Sequence, residues 1–466
     1  MSKVPSNEEW VLSEVSEIDL YEKREKIYTR KMEGFFQRLR VFTGWPLLIG
    51  YFGLPWINWQ GQQAVLFDLP NRQFHIFELT FWPQDLSLLG LLLIIAAFAL
   101  FFVTTLFGRI WCGYTCPQTV WTSIFMWLEQ KTEGTRNQRI RLDAEPTSVK
   151  KITKKLSKHT TWLAVSFATG LTFVGYFTPI AELSVNLWQW QAGLQTLFWI
   201  AFFTLATYAN AGWMREQVCQ YMCPYARFQS VMFDADTLIV SYDKQRGDPR
   251  GSRKRNSVAS EQGLGDCIDC QLCVQVCPTG IDIREGLQYQ CIACALCVDA
   301  CDSIMDKMDY PTGLISYTTE NNLQGGKTQL VRPKSIAYGL ILVCITVLFT
   351  WQLASVSSFE ATVIHDRQSL TNSGKGNTVE NRYLIRLSNK TNQARAYKIA
   401  LSNPTTFSLI GDRLHDIDAN STITTRIRVS ADKASLLEPI TTITFTINDD
   451  SDVTETRESR FIYLAQ

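Results

Sequence analysis

The chain has 466 residues, a formal net charge of +1 and a hydrophobic content of 46%. This length allows about three domains, and the near-neutral charge argues against a nucleic-acid partner. Eight of the 13 cysteines lie in one short stretch and four others form two spaced pairs. That distribution is typical of metal or cluster binding in a reducing compartment, and it argues against a disulfide framework.

Five apolar segments are long enough to cross a bilayer, which requires about 20 residues. The polar segment 1–38 precedes the first of them, so we expect an uncleaved anchor and no signal peptide. Buried helices of a soluble protein are the alternative, but the fifth helix, 335–356, carries no charge. The predicted spans are 39–59, 86–108, 160–182, 193–213 and 335–355.

Lysine and arginine are distributed unevenly over the loops between these spans. They are frequent before the first span, in the loop 109–159 and in the segment 214–334, whereas the loop between the first two spans has only Arg72. The positive-inside rule therefore places the basic segments in the cytoplasm and the tail after residue 356 in the periplasm or cell exterior.

Two stretches of the predicted membrane domain, 39–240, resemble each other. Residues 111–126 and 218–233 each contain a Cys-x-x-x-Cys-Pro motif, and each follows a pair of predicted spans. We interpret the domain as two similar halves that each end in this motif. The motif cysteines are Cys112, Cys116, Cys219 and Cys223.

The motif contains two cysteines, which are soft metal ligands, followed by a proline that favours the start of a helix. Thiolates select Cu(I), and a spacing of four residues would place both sulfurs on one helical face. Proline is typical of a first helical turn, so we expect Cys116 and Cys223 at helix N-termini, where the thiol pKa is lowered. Ordinary packing of small residues is the alternative, but two matched copies favour a functional site with four sulfurs.

The segment 241–334 contains the bacterial ferredoxin spacing C-x-x-C-x-x-C-x-x-x-C twice, which predicts two [4Fe-4S] clusters. The three closely spaced cysteines of each run hold one cluster, and the fourth cysteine of that run reaches the other cluster. Zinc is the alternative, but a zinc ion needs only four ligands and does not require two copies of this cysteine run. One cluster is assigned to Cys267, Cys270, Cys273 and Cys301, and the other to Cys277, Cys291, Cys294 and Cys297.

The tail, 357–466, contains no cysteine, and its apolar and polar residues alternate in runs of strand length. About seven short strands over roughly 110 residues predict an immunoglobulin-like sandwich, which we interpret as a docking module. The clearest runs are 383–387, 397–401, 423–429 and 443–447.

Three other features carry weaker signals. Cys344, in the middle of the fifth span, is interpreted as a packing residue. His75 and His159 lie near span ends and are not interpreted as haem ligands. The basic run 246–255 is typical of a loop that faces lipid phosphates, and it could also dock an acidic electron donor.

The order of these elements resembles the cytochrome c oxidase accessory protein family, the membrane polyferredoxins called FixG, RdxA or CcoG. The motifs Cys-Gly-Tyr-Thr-Cys-Pro-Gln-Thr-Val-Trp and Cys-x-x-x-Cys-Pro-Tyr-Ala-Arg-Phe-Gln, the doubled ferredoxin run and the β-tail all contribute, over almost the whole chain. The resemblance implies a multi-pass protein of the bacterial inner membrane that reduces Cu(II) to Cu(I) for assembly of a cbb-type oxidase. It also implies that the copper site and catalytic residues are Cys112, Cys116, Cys219 and Cys223.

The leading hypothesis is therefore a membrane-bound cupric reductase with two [4Fe-4S] clusters as cofactors and copper as substrate. The expected partners are a cytoplasmic flavoprotein or ferredoxin as electron donor, and oxidase subunits or copper-delivery factors; a homodimer is also considered. Two alternatives remain. One is a quinone-linked electron relay to periplasmic redox partners, against which the β-tail argues. The other is a non-enzymatic iron–sulfur scaffold or sensor for oxidase assembly.

Overall fold

A computed structural model describes most of the chain. The first 25 residues of the predicted cytoplasmic N-terminal segment, and Arg255 of the basic run, lie outside the described residues. The described residues are 26–254, 263–366, 372–373, 378–391, 393–402, 405–436, 438–450 and 453–463.

Helices form most of the region up to residue 354, and two π-helical turns, Tyr208–Met214 and Val218–Met222, interrupt them. The helices are α1 (Phe35–Gly53), α2 (Leu86–Phe107), α3 (Ile110–Tyr114), α4 (Pro117–Glu133), α5 (Arg136–Ala144), α6 (Val149–Gly175), α7 (Ile180–Trp188), α8 (Leu194–Thr207), α9 (Pro224–Met232), α10 (Lys244–Gly247), α11 (Leu272–Val276), α12 (Leu296–Met308), α13 (Glu320–Leu323) and α14 (Pro333–Ala354).

A long helix lies in each of the five predicted spans. Among the described residues, α2 and α14 are the two helices that are both long and apolar enough to cross a membrane, and they pack against each other. The other three predicted spans fall on α1, which contains Pro46, on α6 and on α8. The five-span topology therefore stays a prediction.

The loop between α1 and α2 folds into two small antiparallel sheets, which the sequence did not predict. His75 is buried in the larger sheet, where its Nδ1 lies 3.0 Å from Thr80 Oγ1. The strands are β1 (Asn58–Trp59) and β2 (Gln62–Gln63) in one sheet, and β3 (Val65–Asp68), β4 (Gln73–Ile76) and β5 (Leu79–Phe81) in the other.

A short antiparallel sheet joins the two ends of the ferredoxin segment. Strand β6 (Ile239–Tyr242) precedes both cysteine runs and pairs with β7 (Ile315–Thr318), which follows them. Between these strands, α11 packs on α12. The ends of the segment are thereby held together next to the cysteine loops.

The tail is a two-sheet sandwich, as the sequence predicts. The strands are β8 (Phe359–His365), β9 (Asn372–Ser373), β10 (Thr378–Asn389), β11 (Arg395–Leu401), β12 (Phe407–Ile410), β13 (Leu414–Ile417), β14 (Thr422–Asp432), β15 (Ile440–Asp449) and β16 (Thr454–Ile462). The four predicted runs fall in β10, β11, β14 and β15, and the inward residues Ile385, Ile427 and Phe445 have no exposed surface. One sheet has the order β12-β14-β10-β8 with β9 beside β10, and the other has the order β13-β11-β15-β16.

The sandwich and the ferredoxin segment contact different parts of the helical region. In the sandwich, Lys390 Nζ lies 3.0 Å from Asp85, which immediately precedes α2. At the ferredoxin segment, Arg30 N donates to Gln275 O at 2.8 Å, and Phe36 N donates to Asp299 at 3.1 Å. The chain before α1 is therefore fixed to the ferredoxin segment, and the chain before α2 to the sandwich.

Candidate redox site

The two cysteine runs adopt the same local backbone conformation. The residues on either side of the middle cysteine are left-handed in both: φ is 52° at Asp269 and 54° at Gln271, and 50° at Ala293 and 57° at Ala295. Such values cost a non-glycine residue roughly 1 kcal/mol or more, so they persist only where the surroundings require them. Turns of this kind form the concave backbone nests found at many iron–sulfur sites.

The eight cysteines of these runs surround two small cavities. Each cavity is lined by three cysteines of one run and by the last cysteine of the other, which is the grouping that the spacing predicts. The first cavity has Cys267, Cys270, Cys273 and Cys301 in its lining. The second has Cys277, Cys291, Cys294 and Cys297, together with Cys273. The roles of these residues as ligands stay predictions.

The chemistry of these cavities fits iron–sulfur clusters. Burial raises the pKa of Cys273 to about 11 and those of Cys291 and Cys301 to about 12, so their thiolates require a compensating cation. Within the described ranges, no three His, Cys, Asp or Glu side chains converge to hold a single ion. Four thiols around a cavity suit a four-iron cube better than one zinc ion.

The first cavity has a solvent-exposed cysteine, Cys270, in its lining. Arg284 lines the same cavity and is held by Asp282 at 2.6 Å and by Asp269 at 2.5 Å. A buried cation is therefore fixed beside the cysteine group that includes Cys270.

Each Cys-x-x-x-Cys-Pro motif spans the junction between two helical segments. Cys116 is the N-cap of α4 and Cys223 is the N-cap of α9, as the prolines predict. Cys112 lies in α3 and Cys219 in the π-helical turn Val218–Met222. The N–H of Cys116 donates to the carbonyl of Trp111 at 2.9 Å and that of Cys223 to the carbonyl of Val218 at 2.8 Å, so each second cysteine closes the turn that carries the first. That both sulfurs of a pair share one helical face stays a prediction.

The four motif thiols lie close enough to influence one another. Burial is the main cause that raises the pKa of Cys112 and of Cys219 to about 12; the neighbouring thiols contribute to the rise and Arg109 opposes it. Burial also raises the pKa of Cys116, and the N–H groups of Thr119 and Gln118 offset only part of that effect. The predicted lowering of the thiol pKa at the helix N-terminus is therefore wrong for Cys116.

Two side-chain amides connect the motifs. Gln118, which follows Pro117, donates from Nε2 to the carbonyl of Arg215 at 3.2 Å. Cys112 Sγ donates to Oε1 of Gln229 at 3.4 Å, and Gln229 has no exposed surface. Each half thus contributes an amide that contacts the motif region of the other.

Arg109 joins the motif cysteines to the second cavity. Its buried guanidinium donates to the carbonyls of Tyr289 and Ala226 and, at 3.3 Å, to that of Cys291. Burial lowers the Arg109 pKa, and thiolates at Cys112 and Cys291 raise it, so the cation stabilises negative charge at both sites. In the sequence, Arg109 is one of the basic residues of the loop 109–159, and its position directly before the first motif is the signal that could have identified it.

Helix α3 packs directly on the loop of the second cysteine run. A Cβ atom at Gly113 would lie 2.9 Å from Cys294 Cα and from the carbonyl of Ala293, so only glycine fits there. Beside it, Tyr114 Oη lies 3.2 Å from Tyr317 Oη, which donates to the same Ala293 carbonyl. The first motif is therefore in contact with the backbone that carries Cys294.

Other candidates from the sequence lie apart from this site. Cys344 is exposed on α14, so its interpretation as a packing residue is wrong. In the basic run, Arg246 pairs with Asp266 at 2.6 Å, and Arg253 donates to Tyr310 at 2.9 Å. These two arginines stabilise the ferredoxin segment itself.

Comparisons with known proteins agree with this organisation. A family model described as a 4Fe-4S dicluster domain matches residues 214–320. A second, described as a 4Fe-4S binding domain, matches residues 89–134, where the cysteines are Cys112 and Cys116. A third, described as the IG-like fold at the C-terminal of FixG, matches residues 349–463.

Relatives match most of the chain. It is 36% identical to "Nitrogen fixation protein FixG" of Rhizobium meliloti over 82% of this chain and 80% of that protein. It is 38% identical to "Protein RdxB" of Cereibacter sphaeroides over 89% of this chain and 91% of that protein. A crystal structure of a FixG-related protein from Vibrio parahaemolyticus matches 23% of this chain and 98% of its own, with 30% identity and a TM-score of 0.21. The chain therefore belongs to the FixG/RdxA family of iron–sulfur oxidoreductases.

Proposed function

We propose that this protein is a cupric reductase that supplies Cu(I) for assembly of a cbb-type cytochrome c oxidase. The observation that carries the proposal is the gathering of four motif thiols and Arg109 against the loop that carries Cys294. The two clusters, when bound, supply one-electron transfer. Copper is the substrate: Cu(II) gains one electron and becomes Cu(I).

The motif residues suit the binding of the reduced ion. Thiolates are soft ligands and favour Cu(I) over harder cations, so reduction and retention of copper are coupled. Arg109 lowers the cost of ionising Cys112 and Cys219 in a buried place. Because the described side chains do not present three donors to one point, copper binding must draw the thiols together.

The contacts support a proposed topology in which electrons enter on the cytoplasmic side. The chain before α1 and the first motif both pack on the ferredoxin segment. The positive-inside rule predicts that these three segments all lie on the cytoplasmic side. The sandwich and the loop before α2 contact each other and belong to the outward part. In this arrangement Cys270 is exposed to a soluble donor, and the sandwich is available to an oxidase subunit or copper carrier.

A third iron–sulfur cluster on the motif cysteines is the competing site chemistry. The match of residues 89–134 to a 4Fe-4S binding domain favours it. Thiolates suit both chemistries, and the absence of the close ferredoxin spacing favours copper. The two chemistries differ in the amount of iron that each chain holds.

The deciding experiment compares wild-type protein with the variant in which Cys112, Cys116, Cys219 and Cys223 are all serine. Two four-iron clusters give about eight iron ions and eight labile sulfides per chain, and we expect both proteins to hold them. Only the wild type should retain Cu(I) after gel filtration under argon. About twelve iron ions in the wild type, falling to eight in the variant, would contradict the copper proposal.

A further inference from the structure

A groove runs between α1, α4 and α6. Its volume is about 510 Å³, which is within the range of roughly 300–1,000 Å³ typical of small-molecule sites. Its sides are mostly aliphatic and aromatic. Apolar residues of the lining are Val41, Gly44, Trp45, Leu48, Phe52 and Val165.

One end of this groove is polar. Arg40 is 9% exposed, and it donates from Nε to the carbonyl of Gly113 at 3.0 Å and from Nη2 to Ser123 Oγ at 3.2 Å. Thr119 and Tyr114 complete this end of the lining. A phosphate headgroup is usually bound by several cations, whereas one cation among neutral hydroxyls suits an uncharged oxygen-bearing ring.

The polar end adjoins the second cysteine run. Gly113 lines the groove, and it also lies against the second run, because a Cβ atom added to it would be 2.9 Å from Cys294 Cα. Tyr114 reaches the Ala293 carbonyl through Tyr317. Helix α3, to which Gly113 and Tyr114 belong, would therefore lie between a ring bound beside Arg40 and the loop of Cys294.

We propose that this groove binds a membrane quinol, with its ring beside Arg40 and Thr119 and its isoprenoid chain along α1. Oxidation of the quinol to the quinone releases two electrons and two protons. Clusters held by the two cysteine groups would each take up one electron, and the two protons would leave to solvent at the groove end lined by the half-buried Gln37. The inference rests on the proposed function and adds to it a lipid-soluble electron donor beside the second cysteine run, as a second entry point besides the soluble donor proposed at Cys270.

The test uses the full-length, cluster-loaded protein in detergent and decylubiquinone as the probe. In Gly44→Leu the added atoms enter the groove, because a Cβ at Gly44 would lie 3.7 Å from Val120. We expect the Kd for decylubiquinone to rise at least tenfold. Gly50→Leu is the matched control on the same helix, where a Cβ would meet nothing within 4 Å, and it should change the Kd less than twofold. Val165→Phe, on the opposite wall, replaces Gly44→Leu if that variant does not load its clusters.

Photolabelling with an azidoquinone gives a second readout, and we expect labelled peptides from α1 or α4. The inference is overturned if both groove variants bind the probe like the wild type. It is equally overturned if the label misses these helices, or if a co-purified phospholipid occupies the groove and excess quinone does not displace it. Copper reduction by dithionite-treated wild type needs no quinol, so its success alongside absent quinone binding would reject the groove site alone.

Discussion

At the scale of single residues, the site depends on a few buried groups that connect the motif cysteines to the ferredoxin segment. Arg109 contacts carbonyls on both sides, and Gly113 allows α3 to touch the loop of Cys294. Sequence spacing predicted which cysteines line each cavity because three cysteines of a run must share one short turn. It could not assign Arg109, because the carbonyls that it binds lie more than 100 residues away in the chain.

Replacing Arg109 by glutamine should lower the reduction potential of the cluster next to Cys291. The change removes a buried positive charge that favours negative charge at Cys291 and Cys112. A shift worth on the order of 1–2 kcal/mol per electron is expected for a nearby charge of this kind. A redox titration followed by electron paramagnetic resonance measures it. Arg38→Gln, at an exposed position of α1, is the control and should leave both potentials unchanged.

At the scale of elements, a buried ion-pair network joins α4 to its neighbours. Glu129 accepts from Arg139 of α5 at 3.1 Å and from Arg215 at 2.8 Å. Glu133 accepts from Lys158 of α6 at 2.9 Å. This network holds α4, and with it the first motif, in place relative to the π-helical turns of the second motif.

Glu129→Ala should destabilise the protein by about 3–5 kcal/mol, because it leaves two buried arginines without their shared carboxylate. The exposed pair of Glu33 with Lys31 provides the control, and Glu33→Ala should leave the stability close to that of the wild type. Thermal release of the clusters, followed by absorbance, compares the variants. Equal midpoint temperatures of cluster release for the two variants would show that the network does not stabilise the fold.

The same network predicts a loss of stability in acid. Burial raises the pKa of Glu129, but Arg215 and Arg139 more than compensate, so it lies below its ordinary value. The stability that the ionised Glu129 contributes is therefore fully present above the unfolded-state pKa of about 4.3. It is lost as the pH falls through the lower folded-state pKa. The difference in stability between wild type and Glu129→Ala should shrink over that range.

Sequence patterns predicted elements well where one periodicity dominates. The alternating runs of the tail became β10, β11, β14 and β15, and each predicted span contains a long helix. The small sheets before α2 were missed because their strands have two to four residues. The π-helical turn around Cys219 was missed because nothing in local spacing distinguishes it from an α-helix; such turns are frequent at functional sites.

At the scale of the whole molecule, the sandwich is fixed to the helical region through one buried lysine. Lys390 is held by Asp85 at 3.0 Å and by Glu360 at 3.1 Å, and its side chain is 8% exposed. Gln73 adds a hydrogen bond from its Nε2 to the Asn420 carbonyl at 2.9 Å. These contacts orient the sandwich relative to the loop between α1 and α2.

Lys390→Ala should loosen this attachment while leaving each sandwich sheet folded. Removing one partner leaves the Asp85 carboxylate partly buried and unpaired, at a cost of about 3–5 kcal/mol for a buried pair. Hydrogen exchange should rise at β3–β5 and near residue 420, and stay unchanged in β10 and β14. Lys398→Ala, on the exposed side of β11, should change neither region. Faster exchange throughout the sandwich would mean that Lys390 stabilises the domain itself.

The central claim is tested most directly by anaerobic addition of Cu(II) to protein whose clusters have been reduced beforehand. Absorbance reports the clusters, and a Cu(I)-specific chelator reports the product. We expect rapid reoxidation of wild-type clusters with one Cu(I) formed per electron, and a rate at least tenfold slower when Cys112, Cys116, Cys219 and Cys223 are serine. Equal rates in the two proteins, or clusters that stay reduced until a quinone is supplied, would contradict the cupric reductase account.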